Sequence, residues 1–186
     1  MVSGRAAGLL RRGPSLAVLE QQYAKRGRID RAAPVQAQHT MWIDAPVSLV
    51  WLLLADVARW PQWCPLVQEL VVDGPELRPG VEFHWRTGRN KIRSRVATLV
   101  PEYEISWTGN CSGARAVRRQ TVRPGPDGGS QVTVAESMSG LFLTLFYDSD
   151  KLQQATGAWL EALRTTAEGW HHDGVSTGRL GRAFPT

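Results

Sequence analysis

The spacing of apolar residues changes once along this chain, and the change decides the fold class. Between Leu66 and Met138 apolar side chains recur at every second position, in runs of strand length. From Phe142 they recur at every third or fourth position, through Leu145, Phe146, Leu152, Trp159, Leu160, Leu163, Ala167 and Trp170. So wide and aromatic a helix face must pack on something large. The dry face of a sheet is the surface that the rest of the chain offers.

The alternation is specific enough to assign faces. Phe83 and Trp85 alternate with Glu82, His84 and Arg86. Ile92, Ser94, Val96 and Thr98 alternate with Lys91, Arg93, Arg95 and Ala97, and Ile105 and Trp107 with Glu104 and Ser106. Val132, Val134, Glu136 and Met138 alternate with Gln131, Thr133, Ala135 and Ser137. Turn clusters separate the runs at Gly74–Pro75, Pro79–Gly80, Gly88–Asn90, Gly109–Asn110 and Pro124–Gly129. Successive hairpins then make an antiparallel meander with one wet and one dry face. Upstream, Val35, Ala37, His39, Met41 and Ile43 alternate with polar residues and Trp42, the pattern of a first strand. Asp44-Ala45-Pro46 reads as a helix start, with Asp44 as the cap. Val47, Val50, Trp51, Leu54 and Val57 follow at helical spacing, and Pro61 divides the region into two short helices.

The predicted order is one strand, two short helices, about six strands and a long helix, an α+β architecture. A twisted sheet curled around one helix cannot meet it everywhere, and the gap is a natural ligand cavity.

Charge divides the chain differently. Arg5, Arg11, Arg12, Lys25, Arg26, Arg28 and Arg31 precede Val35, opposed by Glu20 and Asp30. That segment carries the whole formal net charge of +5, and the remainder is balanced. The basicity belongs to a tail rather than to a binding face, which argues against nucleic acid as a partner. Residues 1–34 therefore read as a mobile basic extension, with a short helix over Ser15–Tyr23; the rival is an arm that touches a partner. Residues 35–170 read as the folded domain, and the Gly-rich segment 171–186 as a disordered tail. Cys64 and Cys111 form no CxxC pair and fit reduced thiols in the cytoplasm. No apolar run approaches the ~18–20 residues of a membrane span.

The run Ile43-Asp44-Ala45-Pro46-Val47 leads to Val50-Trp51, Leu54-Ala55-Asp56-Val57 and Arg59-Trp60-Pro61-Gln62-Trp63. It resembles the opening of polyketide cyclase/dehydrase-type proteins of the START-like (SRPBCC, birch-pollen-allergen-like) superfamily. Leu77-Arg78-Pro79-Gly80 before Phe83-His84-Trp85, Ile92–Val96 before Ile105–Gly109, and Glu136–Gly140 before the helix agree in order and spacing. The resemblance implies a helix-grip fold, a curved antiparallel sheet wrapped around the long C-terminal helix, with a deep apolar cavity. Members bind lipids, sterols, polyketides or plant hormones, and some act as aromatases or cyclases. The strand in which members often carry His and Trp reads Ala116-Val117-Arg118-Arg119-Gln120 here, so chemistry resting on that His is not open to this chain.

Trp51, Trp63, Phe83, Trp85, Val96, Trp107, Met138 and Trp159 are the expected cavity walls, either as ligand contacts or as plain core. Aromatic walls suit a planar or polycyclic ligand. Glu136 is the candidate for chemistry, since it shares strand parity with Val132, Val134 and Met138 and so points inward. A buried carboxylate needs a partner or a proton. The alternatives are a ligand-facing acid or base and a structural ion pair with an inward Arg115 or Arg119. Arg89, Lys91, Arg93 and Arg95 share the wet face, as a ladder near Glu102 and Glu104 or as an anion site. His39, His84, His171 and His172 form no ligand array with the cysteines. Metal spacing, phosphate loops and nucleophile motifs are lacking, so no metal and no cofactor are expected. Three readings stand: a small-molecule binding protein, a polyketide cyclase/aromatase that folds a reactive chain in its cavity, and a partner-binding module acting through the N-terminal arm.

Overall fold

The computed structural model describes residues 12–174. Seven antiparallel strands form one sheet: β1 (Val35–Ile43), β2 (Glu69–Val72), β3 (Glu82–Thr87), β4 (Asn90–Val100), β5 (Glu104–Cys111), β6 (Ala114–Pro124) and β7 (Ser130–Ser139). Their order across the sheet is β1-β7-β6-β5-β4-β3-β2, so each strand from β2 to β7 lies beside the next in sequence and β1 closes on β7. An arm of short turns opens the described chain, beginning with α1 (Leu16–Val18). The helices α2 (Val47–Ala55) and α3 (Trp60–Trp63) lie between β1 and β2. The one-turn α4 (Leu143–Phe146) and the 24-residue α5 (Ser149–His172) follow β7. This is the helix-grip arrangement expected from the sequence.

Local chemistry accounts for the boundaries. Asp148 caps α5 by accepting a hydrogen bond from the Lys151 amide. Asp44 is not the cap of α2: Pro46 holds that position, and the Asp44 amide instead donates to Glu168 at 3.0 Å. Gly109–Asn110, read as a turn, lies inside β5. The reversal comes two residues later at Ser112–Gly113, both at positive φ (48° and 85°), the backbone demanded by a two-residue hairpin loop. The register shifts between Val96 and Thr98, and this bulge reverses the parity that the sequence suggests for the end of β4. Ala97 becomes buried on the outer face and Leu99, rather than Thr98, joins the inner core.

The core fills the concave side, where Ile43, Val50, Leu54, Trp60, Phe83, Val96, Ile105, Leu160 and Leu163 have essentially no exposed surface. Where α5 passes β1, Gly157 removes the side chain that would crowd it. A Cβ there would lie 3.2 Å from the His39 ring.

The expectation of a mobile extension over residues 1–34 fails for residues 12–34, which pack across the outer face of the sheet. Leu19, Ala24 and Ile29 are buried there against Ala97, Val117 and Ala135. Ser106 donates its hydroxyl hydrogen bond to the Ala24 carbonyl, Ser137 accepts from the Asp30 amide, and Arg115 reaches the Pro14 carbonyl. The outer face carries small apolar residues, and the arm is what keeps them from water. Residues 1–11 lie outside the described part. Of the segment read as a disordered tail, His171 and His172 complete α5, and 175–186 lie outside the described residues.

Candidate functional site

Cross-strand partners share a face of the sheet, so the pairing register defines what lines its concave side. One inward row runs Ala37, Glu136, Arg118, Trp107 and Val96 across five strands. The row beside it runs His39, Val134, Gln120, Ile105 and Leu99. Polar groups are thus set among aliphatic and aromatic ones at the middle of the dry face.

Aromatic rings from the short helices and α5 close over these rows. Trp60 stands at the centre, with ring centroids 5.8 Å from Phe83, 5.4 Å from Trp107 and 4.7 Å from Trp159. Trp63 meets Trp159 edge-on at 5.3 Å. Edge-to-face contacts of this kind fix ring positions as well as burying area.

Arg118 enters this aromatic shell with 7% of its surface exposed. Its guanidinium carbon lies 4.7 Å from the Trp159 ring centroid and 5.8 Å from that of Trp107. Nη1 donates to Glu136 Oε2 at 2.8 Å, while Nε and Nη2 have no partner among the described residues. Gln120, fully buried two residues on, has neither amide atom bonded among the described residues. The indole N–H groups of Trp63 and Trp159 and the hydroxyl of Thr156 are likewise buried without partners. Native interiors rarely leave such groups unsatisfied, since each costs about 1–3 kcal/mol.

Two further groups feel the charges of the pair. Burial pushes the Tyr147 phenol above its ordinary range and the Glu136 charge adds to this, with Arg118 opposing. Burial also raises the Cys64 thiol, against smaller opposing contributions that include Arg118.

On the outer surface, Asp73, Glu82 and His84 bring ligand-type atoms within 4.8 Å of one another. Arg93 and Arg95 already pair with the Glu82 carboxylate, and His84 lies 3.2 Å from Asp73, so the trio is knit into a surface charge network.

The family model described as polyketide cyclase/dehydrase and lipid transport matches residues 34–168. The chain belongs to this family. No curated protein matches it significantly. Solved structures share the fold at low identity. A hypothetical protein from Helicobacter pylori is 14% identical, with a TM-score of 0.65 over 74% of this chain and 90% of that one. A START superfamily protein from Mycobacterium smegmatis is also 14% identical, with a TM-score of 0.58 over 74% and 97%. DynU16, a protein of the dynemicin biosynthetic locus, is 17% identical, with a TM-score of 0.57 over 75% of this chain and 48% of that one.

In this polyketide cyclase/dehydrase-family chain, Phe83, Val96, Trp107 and Trp159 lie within the buried inner core. Trp51, Trp63 and Trp85 are partly buried against it, and Trp85 donates to Ser94 Oγ at 3.1 Å. Met138 joins a neighbouring cluster with Val35, Ala37, Leu152, Leu143 and Tyr147. Glu136 faces inward and is paired, but not with the arginines read as its partners. Arg119 is on the outer face bonded to Glu104, and Arg115 reaches the arm; Arg118 is the inward cation. Of the cation ladder, Arg93 pairs with Glu82 and Arg95 with Glu82 and Glu20, rather than with Glu102 and Glu104. Trp60, Arg118, Gln120 and Thr156 were not singled out by the sequence reading. Parity with Ala116 would have turned Arg118 and Gln120 inward. Val117 suggests the opposite face, because the arm makes that face dry too.

Proposed function

We propose that this protein binds an apolar or aromatic small molecule, polyketide- or lipid-like, between the concave face of the sheet and α5. The supporting observation is the set of buried polar atoms on Arg118, Gln120, Trp63, Trp159 and Thr156 that lack a hydrogen-bond partner among the described residues, within an otherwise apolar interior. Such atoms are stabilised when a guest supplies their hydrogen bonds. Family membership points the same way. Cys64 and Cys111 are free thiols, which fits work in a reducing compartment such as the cytoplasm. On β4, Arg93 and Arg95 are already paired with Glu82, which disfavours a nucleic acid partner on that face.

A thermal-shift panel of polyketides, sterols and fatty acids tests the reading. Stabilisation by at least one class is the expected result, and none across the panel refutes it.

The family description favours a second reading, a cyclase or aromatase that folds a reactive chain in this space. Holding the chain in one geometry would supply most of the acceleration. Turnover of a polyketide mimic that falls in Glu136→Gln, with folding retained, supports that reading. Turnover no faster than in buffer excludes it for that substrate.

A further inference from the structure

We infer that the guest presents a neutral oxygen acceptor, of the ketone or quinone kind, to Arg118 and Gln120, and that a free carboxylate is disfavoured. This rests on the reading that a guest occupies the space between sheet and α5.

The first argument is a count of donors. Arg118 Nε and Nη2, the Gln120 amide nitrogen and the indole nitrogens of Trp63 and Trp159 are buried N–H donors without a partner among the described residues. Unpartnered acceptors in the same interior are fewer: Gln120 Oε1, and Thr156 Oγ1, which can also donate. A guest rich in acceptors fits this imbalance, and a hydrocarbon leaves every donor unmet.

The second argument is charge. Glu136 lies 2.8 Å from Arg118 and neutralises it. The Cys64 thiol and the Tyr147 phenol, which feel the charges of the pair, are protonated at neutral pH and add no charge there, and burial raises both further. An anionic head group would bring a second negative charge to a cation already matched, and would lose its hydration. A neutral carbonyl takes the free N–H groups without that cost.

Three probes of equal ring size separate the possibilities: 2-ethylnaphthalene, 2-acetylnaphthalene and 2-naphthoate, each titrated by quenching of tryptophan fluorescence. The expected result is that the ketone binds at least about tenfold tighter than the hydrocarbon and than the carboxylate, the effect of one or two hydrogen bonds. In Gln120→Leu the ratio of ketone to hydrocarbon affinity shrinks. In Glu136→Gln, which keeps an acceptor for Arg118 but frees its charge, 2-naphthoate gains affinity relative to the ketone. Circular dichroism melts confirm that both variants fold. Equal binding of ketone and hydrocarbon, or tightest binding of the carboxylate to the unmodified protein, overturns the inference and leaves the pocket reading standing. Failure of all three probes to bind overturns the inference, and the thermal-shift panel then decides the pocket reading on its own.

Discussion

Arg118 and Glu136 face each other across β6 and β7 with side chains 9% and 13% exposed, so each charge is largely stripped of water. The attraction between them offsets that loss only while both are present. Glu136→Ala leaves a buried guanidinium without its counter-charge and is expected to cost about 3 kcal/mol in denaturant unfolding. The double variant Arg118→Met with Glu136→Leu removes both charges and should recover most of that loss. If Glu136→Ala costs nothing, the pair is not desolvated as the structure has it. Cys64 and Tyr147 give a pH signature. Burial disfavours thiolate and phenolate, so both groups hold their protons more tightly in the folded protein than in the unfolded chain. Their contribution is complete below the ordinary pKa values, about 9 to 10, and is lost as pH rises through the raised ones. Melting temperature should therefore fall above about pH 9, and less steeply in a Cys64→Ala, Tyr147→Phe variant. An identical alkaline slope in that variant contradicts the assignment.

At the scale of elements, the arm over residues 12–34 behaves as a further layer of the fold. Leu19 is 3% exposed against the outer face, and Leu19→Ala is expected to lower stability by about 2–3 kcal/mol. A truly mobile arm would make that substitution silent. On the other side, α5 approaches β1 closely enough that Gly157→Val should cost about 1–3 kcal/mol, because its β-branched side chain meets His39. These elements also show what the sequence could tell. Strand and helix periods give the order of the elements, because each period reports one buried face, while the helix-grip arrangement is implied by the family resemblance. Face assignment failed where both faces of β6 are dry, since Val117 under the arm looks the same in sequence as a residue of the inner core. Arg118 and Gln120 were hidden by that ambiguity. Trp60 carries no sign in the sequence that it sits at the aromatic centre, because its neighbours Phe83, Trp107 and Trp159 come from three distant elements.

As a whole, the molecule presses an aromatic shell onto a sheet that carries a few buried polar groups, and the account holds that a guest completes those groups. The indole N–H signals of its eight tryptophans make this directly measurable by nuclear magnetic resonance. Trp63 and Trp159 have buried indole nitrogens with no hydrogen-bond partner among the described residues, whereas Trp42 is 44% exposed. Titration with 2-acetylnaphthalene should move the Trp63 and Trp159 signals saturably and leave Trp42 in place. Unmoved signals for Trp63 and Trp159, or a response confined to Trp42, would contradict an interior guest.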